Sequence, residues 1–210
     1  METSVPLLFA AMVGFTHAFE ADHLLAVSSM VTRRNSIKSS LKDGIYWGLG
    51  HSSTILAIGL LMIVAKVAIA EATFGYFEAT VGLMLILLGT HRIWKTWKHE
   101  QHHHKAHQEE APHHHRLAYG VGLVHGLAGS GTLVLLVMTE LKSSLQGIVY
   151  LLIFGLGSIA GMLLASGVFS LPFSQKFTNA RQIRGALTLA SSLFCIVLGC
   201  KVMWENLRGL

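Results

Sequence analysis

The sequence predicts an all-α, polytopic membrane protein with six transmembrane helices arranged as two inverted three-helix repeats. Three observations carry this expectation. Of 210 residues, 52% are apolar and only 13% are Asp, Glu, Lys or Arg, roughly half the charged content of an ordinary soluble domain. Residues 143–175 pass without one such charge, a longer run than the roughly 20 apolar residues that cross a hydrocarbon core of about 30 Å. Finally, short sequence patterns of the first half recur in order in the second.

Six segments are long and apolar enough to span: about 5–30, 44–65, 74–94, 117–139, 145–170 and 186–205. Met1 to Pro6 holds no Lys or Arg ahead of the first run, so that run is expected as a retained helix and not as a cleaved signal. The Lys and Arg residues orient the rest. Arg33, Arg34, Lys38 and Lys42 lie between spans one and two; Arg92, Lys95, Lys98, Lys105 and Arg116 between three and four; Lys176, Arg181 and Arg184 between five and six. Only Lys66, Lys142, Lys201 and Arg208 fall on the other side. Because basic residues accumulate on the cytoplasmic face, these three connections are expected inside and both termini outside, in the cytoplasmic (inner) membrane. This placement also accounts for the net charge of +5 without nucleic acid as a partner.

The repeat is read from ordered matches. Gly14-Phe15-Thr16-His17 aligns with Gly122-Leu123-Val124-His125, and Ser39-Ser40-Leu41 with Ser143-Ser144-Leu145. Gly48-Leu49-Gly50 aligns with Gly155-Leu156-Gly157, and Leu88-Gly89 with Leu198-Gly199. Three spans per repeat force the halves to be inverted, a construction that places transport sites near the bilayer midplane between the repeats. The expected organisation is a first repeat over 1–94, a His-rich cytoplasmic loop over 95–116 and a second repeat over 117–210.

Chemistry concentrates in the first span, where His17, Glu20, Asp22 and His23 fall within seven residues. Ionisable groups at membrane depth are costly unless they face partners or a cavity, so they mark function. At about 100° per residue, His17 and Glu20 lie about 60° apart, while Asp22 falls about 140° from His17. A regular helix cannot aim His17, Asp22 and His23 at one ion. Either the helix unwinds here, as in the broken helices of transporters, or one of the group orients a ligand from behind.

His51, among small residues of the second span, sits at a matching depth. Three imidazoles and a carboxylate suit nickel, cobalt, zinc or iron better than magnesium or calcium. The expected metal ligands are thus His17, Asp22, His23 and His51. Glu20 reads as a ligand, a proton carrier or an outer partner. His125 reads as a packing residue, an outer partner or a proton carrier, and His91 as packing. Eight of the thirteen histidines fall between His99 and His115. His102, His103, His104, His113, His114 and His115 read as an auxiliary, low-affinity metal-binding tract or a solvated linker. Cys195 and Cys200, too few for a disulfide framework and not in CxxC spacing, read as packing or lipid-facing residues. Trp94, Trp97 and Trp204 read as interfacial anchors.

His17-x4-Asp22-His23, followed by Leu49-Gly50-His51-Ser52, resembles the signature of the nickel/cobalt transporter family. His125-Gly126-Leu127-Ala128-Gly129-Ser130, opening the second half, is similar to its UreH-like six-span members. The resemblance implies uptake of Ni²⁺ or Co²⁺, with His17, Asp22 and His23 as ligands.

The expected function is therefore a permease for divalent transition-metal ions, most of all nickel or cobalt uptake, with efflux by a protein of related architecture as the alternative. The partners are the metal ion and the lipid bilayer, and the ion is the transported substrate, so no cofactor is expected. No GxxxxGK[ST] motif supplies nucleotide hydrolysis. Nor is there a HExxH pair or a nucleophile–base constellation, and no enzymatic activity is expected.

Overall fold

The first apolar segment forms two helices. In the computed structural model, α1 (Ser4–His17) ends where α2 (Ala21–Val31) is about to begin, so the span expected over 5–30 is broken at Ala18, Phe19 and Glu20. The backbone tightens there: the amides of Phe19 and Glu20 donate to the carbonyls of Thr16 (2.9 Å) and His17 (3.1 Å), and Leu24 N resumes the helical pattern by donating to Glu20 O at 2.9 Å. The Thr16 hydroxyl also donates back to the carbonyls of Met12 (2.9 Å) and Val13 (3.1 Å), a bond type that bends helices.

Residues 4–31, 36–66, 69–101, 114–140, 143–171 and 181–208 are described by the structure. The remaining helices are α3 (Ile37–Ala65), α4 (Glu71–Gln101), α5 (His114–Glu140), α6 (Ser144–Ser170) and α7 (Arg181–Arg208). Local chemistry explains several ends. The Ser143 hydroxyl accepts from Gln146 N at 3.2 Å and caps α6, while Lys66 stops α3 in the left-handed region at φ 53°.

Two boundaries depart from the expectation. α4 continues to Gln101, and α5 already begins at His114, so both edges of the loop expected over 95–116 are helical. Hydropathy marks where a helix leaves the membrane, not where it stops. Residues 91–111 contain neither Gly nor Pro, and nothing in that polar stretch compels α4 to end at the membrane surface.

Four helical stretches, Ile37–Ala65, Ala72–Lys98, Ser144–Ser170 and Gly185–Arg208, have the length and apolarity to cross a membrane, and Leu7–His17 is a shorter apolar helix. α5, with 27 residues, extends about 40 Å. Large apolar side chains such as Val64, Leu145, Leu156 and Phe194 point outward, as expected of a surface solvated by lipid. The chain is an all-α integral membrane protein.

α3 packs against α5 and α6, α1 against α6, and α4 against α7. Glycines set these contacts. A Cβ on Gly14 would overlap the carbonyl of Phe154 on α6, and one on Gly122 would overlap the carbonyl of Trp47 on α3. Between α4 and α7 the approach is mutual. A Cβ on Gly82 would meet Gly199 O at 2.7 Å, and one on Gly199 would meet Gly82 O at 2.5 Å. Small residues allow such backbone contact, the main source of helix cohesion where water provides no hydrophobic drive. Trp47, Phe154, Leu85 and Met162 fill the spaces between.

Gly122→Ala is expected to destabilise the fold by about 1–3 kcal/mol through overpacking, lowering the melting temperature of detergent-purified protein by several degrees. Gly120→Ala meets no atom within 4 Å and is expected to leave that temperature unchanged or raise it.

Candidate metal centre

The break between α1 and α2 reverses the angular problem of a regular helix. His17 closes α1 and His23 lies in the first turn of α2, and their ring centroids are 4.5 Å apart. His51 enters from α3, 5.3 Å from His17 and 5.1 Å from His23. His125 comes from α5 and stacks on His23 at 4.1 Å. Its position follows from the backbone contact just described: a Cβ on Gly126 would stand 2.5 Å from the carbonyl of His51, so α3 and α5 are close enough to share one cluster. His23, His51 and His125 are buried, at 1%, 0% and 0% exposure. The side chain of His17 is 11% exposed.

Carboxylates orient the rings. Nδ1 of His17 pairs with Glu20 Oε1 at 2.8 Å. Asp22 serves two rings at once: Oδ1 accepts from Nδ1 of His23 (3.0 Å) and from its backbone amide (2.8 Å), and Oδ2 accepts from Nε2 of His125 (3.1 Å). An ionised carboxylate only accepts, so each of these ring nitrogens carries the proton and the other ring nitrogen is left with a lone pair. Those other nitrogens, Nε2 of His17, Nε2 of His23 and Nδ1 of His125, are buried without a hydrogen-bond partner, as are both nitrogens of His51. Leaving a buried polar atom unpaired costs about 1–3 kcal/mol, so the cluster is unfavourable as mere packing.

Its donors are arranged for a cation. One ligating atom from each of His17, His23 and His51 falls within 4.8 Å of the others. Nitrogens bound to one ion at about 2.1 Å stand at most about 4.2 Å apart, so small ring rotations close the difference. Asp22, His23 and His125 form a second group that meets the same 4.8 Å limit. Asp22 bridges His23 to His125, and His23 belongs to both groups. Trp47, 5.7 Å from His23 and 5.9 Å from His125, and Phe154, 5.6 Å from His17, wall the cluster with apolar rings.

The other predicted residues separate. His102, His103, His104 and His113 lie outside the described residues, and the side chain of His114 is not described. His115 is not a loop residue: it lies in the first turn of α5, its Nδ1 pairs with buried Asp43 at 2.8 Å and its ring stacks on Tyr46 at 5.1 Å. Sequence reasoning assigned nothing to Asp43, although it shares the α3 face of Trp47 and His51 at intervals of four residues. Cys195 is buried, its sulfur 3.2 Å from the Ser29 hydroxyl, and Cys200 is exposed. His91 is exposed beside Trp94, 6.0 Å between ring centroids.

The family model described as cytochrome c biogenesis protein transmembrane region matches residues 24–200. The chain belongs to this family. Among curated proteins, it is similar to urease accessory protein UreH of Bacillus sp. (strain TB-90), with 33% identity over 209 residues covering 95% of this chain and 90% of that protein. It is also similar to chloroplast protein FOR GROWTH AND FERTILITY 2 of Arabidopsis thaliana, with 26% identity over 202 residues covering 90% of this chain and 53% of that one. No solved structure matches the chain. The family match begins just after His23, so it covers His51 and His125 but not the α1–α2 break.

His115→Ala removes one donor from the buried Asp43 carboxylate and is expected to cost about 1–3 kcal/mol, read as a lower melting temperature of the purified protein. His115→Gln, which restores a donor, is expected to recover part of that loss.

Proposed function

We propose that the protein is a permease for divalent transition-metal ions, with Ni²⁺ and/or Co²⁺ uptake as its activity and no enzymatic role. One observation carries the reading: imidazoles from α1, α2 and α3 meet inside a membrane bundle, each with a potential ligand atom within 4.8 Å of the others and each with a buried nitrogen that has no hydrogen-bond partner. His17, His23 and His51 are the ligands. Asp22 and Glu20 hold the rings in the ligating tautomer, and His125 completes the Asp22 bridge. Nitrogen donors without a thiolate favour nickel, cobalt or zinc over magnesium, calcium or copper(I). The urease accessory role in the name of a relative and the resemblance to nickel/cobalt transporters both favour nickel as the cargo.

Six spans in two inverted repeats supply the moving parts, and paired contacts support that reading. Exchanging each residue for its counterpart in the other half turns the Gly14–Phe154 contact into the Gly122–Trp47 contact, and the Gly157–Ala11 contact into the Gly50–Tyr119 contact. Between α4 and α7, Gly82–Gly199 likewise becomes Ser192–Gly89. Under the basic-residue asymmetry both termini face outward and the His-rich segment faces the cytoplasm of a cell bounded by this inner membrane. The membrane potential then drives cation entry, by about 2.3 kcal/mol per charge per 100 mV.

The family's description names cytochrome c biogenesis, which raises thiol chemistry as another reading. Cys195 is buried and Cys200 exposed, and five positions of helix turn them about 140° apart, so this pair does not form a dithiol.

Cells expressing the protein are expected to accumulate radioactive nickel, and His17→Ala, His23→Ala and His51→Ala to reduce uptake to background at equal expression. Uptake unaltered in all three overturns the assignment, and resistance to external nickel in place of sensitisation reverses its direction. Asp22→Asn, which disturbs orientation and not ligation, is expected to weaken Ni²⁺ binding by about 10–100-fold, measured by calorimetry on purified protein.

A further inference from the structure

The histidine cluster is reached through a cavity of about 830 Å³. His17, Asp22 and His23 line it, together with Glu20, Glu78 and Glu205. Glu78 and Glu205 come from α4 and α7, helices that the cluster does not use. Their proximity follows from the antiparallel glycine contacts. The pairs Gly82–Gly199 and Gly89–Ser192 define one register, in which Glu78 stands opposite Met203 and Glu205 opposite Tyr76. The two carboxylates are thus held at nearly one level, near the start of α4 and the end of α7.

No Lys or Arg lines this cavity among the described residues. The cationic neighbour of Glu205 is Lys201, at 3.8 Å and with both side chains mostly exposed, a pairing of little strength in water. Glu20 pairs with His17 through Oε1, and Glu78 has no cationic partner among the described residues. The same cavity is lined by His23, a ring 1% exposed whose Nε2 has no partner, so it leads from these carboxylates to the histidine cluster.

We infer that Glu78 and Glu205, with Glu20, form a capture site in this cavity that holds a hydrated divalent cation before it reaches the histidines. The inference rests on the transport reading for the destination of the ion but not for the binding itself. Carboxylates converging on a recessed, apolar-walled cavity concentrate cations by focusing the field, and oxygen donors tolerate an ion that keeps its water. The site therefore selects for charge, and the imidazoles behind it for metal type.

Two measurements test it. In proteoliposomes at about 10 mM ionic strength, where the Debye length is about 30 Å, the double variant Glu78→Gln/Glu205→Gln is expected to raise the half-saturating Ni²⁺ concentration by about 10-fold, with the maximal rate within about 2-fold of the unmodified protein. At about 1 M, where that length is about 3 Å, the difference is expected to vanish. An unchanged half-saturation at low salt, or a shift that persists at high salt, overturns electrostatic capture.

Terbium luminescence on purified protein separates this failure from failure of the transport reading, because Tb³⁺ prefers carboxylates to imidazole. Binding is expected to weaken by at least about 10-fold in the double Gln variant, but to survive in His51→Ala and in the charge-preserving Glu78→Asp/Glu205→Asp. Equal Tb³⁺ binding by a well-folded double Gln variant refutes the site even where nickel transport is established. Loss of binding upholds it even where nickel is not transported.

Discussion

An imidazole ring buried among lipid-embedded helices must have its protons and lone pairs placed, and the rest of this molecule is organised around that requirement. Four such rings meet here, and two carboxylates decide what they present. Asp22 accepts one hydrogen bond from His23 and one from His125; Glu20 accepts one from His17. The other nitrogen of each of these three rings keeps a lone pair and has no hydrogen-bond partner. Without the break after His17 this arrangement is opposed by helix geometry, because one continuous helix would turn His17 and His23 about 120° apart. The break costs helical hydrogen bonds, which are partly recovered in the tight turn through Phe19 and Glu20.

The second requirement is that α3 and α5, whose histidines are 74 positions apart in the chain, approach to backbone contact. Gly122 and Gly126 permit it by leaving room for the carbonyls of Trp47 and His51. The α1–α6 contact uses Gly14 and Gly157 in the same manner. Packing and chemistry are therefore one design: the residues that let helices approach lie within a turn or so of the residues that form the cluster. A bulky side chain at one of these glycines would move a ligand as well as loosen the fold.

Family membership and site composition speak to different parts of the chain. The matched region begins at residue 24, which takes in the helices carrying His51 and His125 and leaves out His17, Asp22 and His23. The histidine cluster is therefore shared between the matched region, which supplies His51 and His125, and the segment preceding it, which supplies His17, Asp22 and His23. UreH extends the similarity across 95% of this chain.

Much of this protein was legible in its sequence. Low charge, long apolar runs and a triad of ionisable residues each have a local signature, and membrane burial makes the cost of His17, Asp22, His23 and His51 visible without coordinates. The sequence also bounded the geometry of the first span, since helical angles alone excluded a regular helix with three inward ligands; it left open whether the helix broke or a residue served from behind, and the helix is broken after His17. Three things were decided only by tertiary structure. His125 joined the cluster because α5 meets α3; His115 left the predicted His-rich tract to pair with Asp43; and Glu78 and Glu205 came to one level because α4 and α7 pack in antiparallel register. Each depends on residues far apart in the chain, and periodicity records which face of a helix is apolar but not which other helix that face will meet.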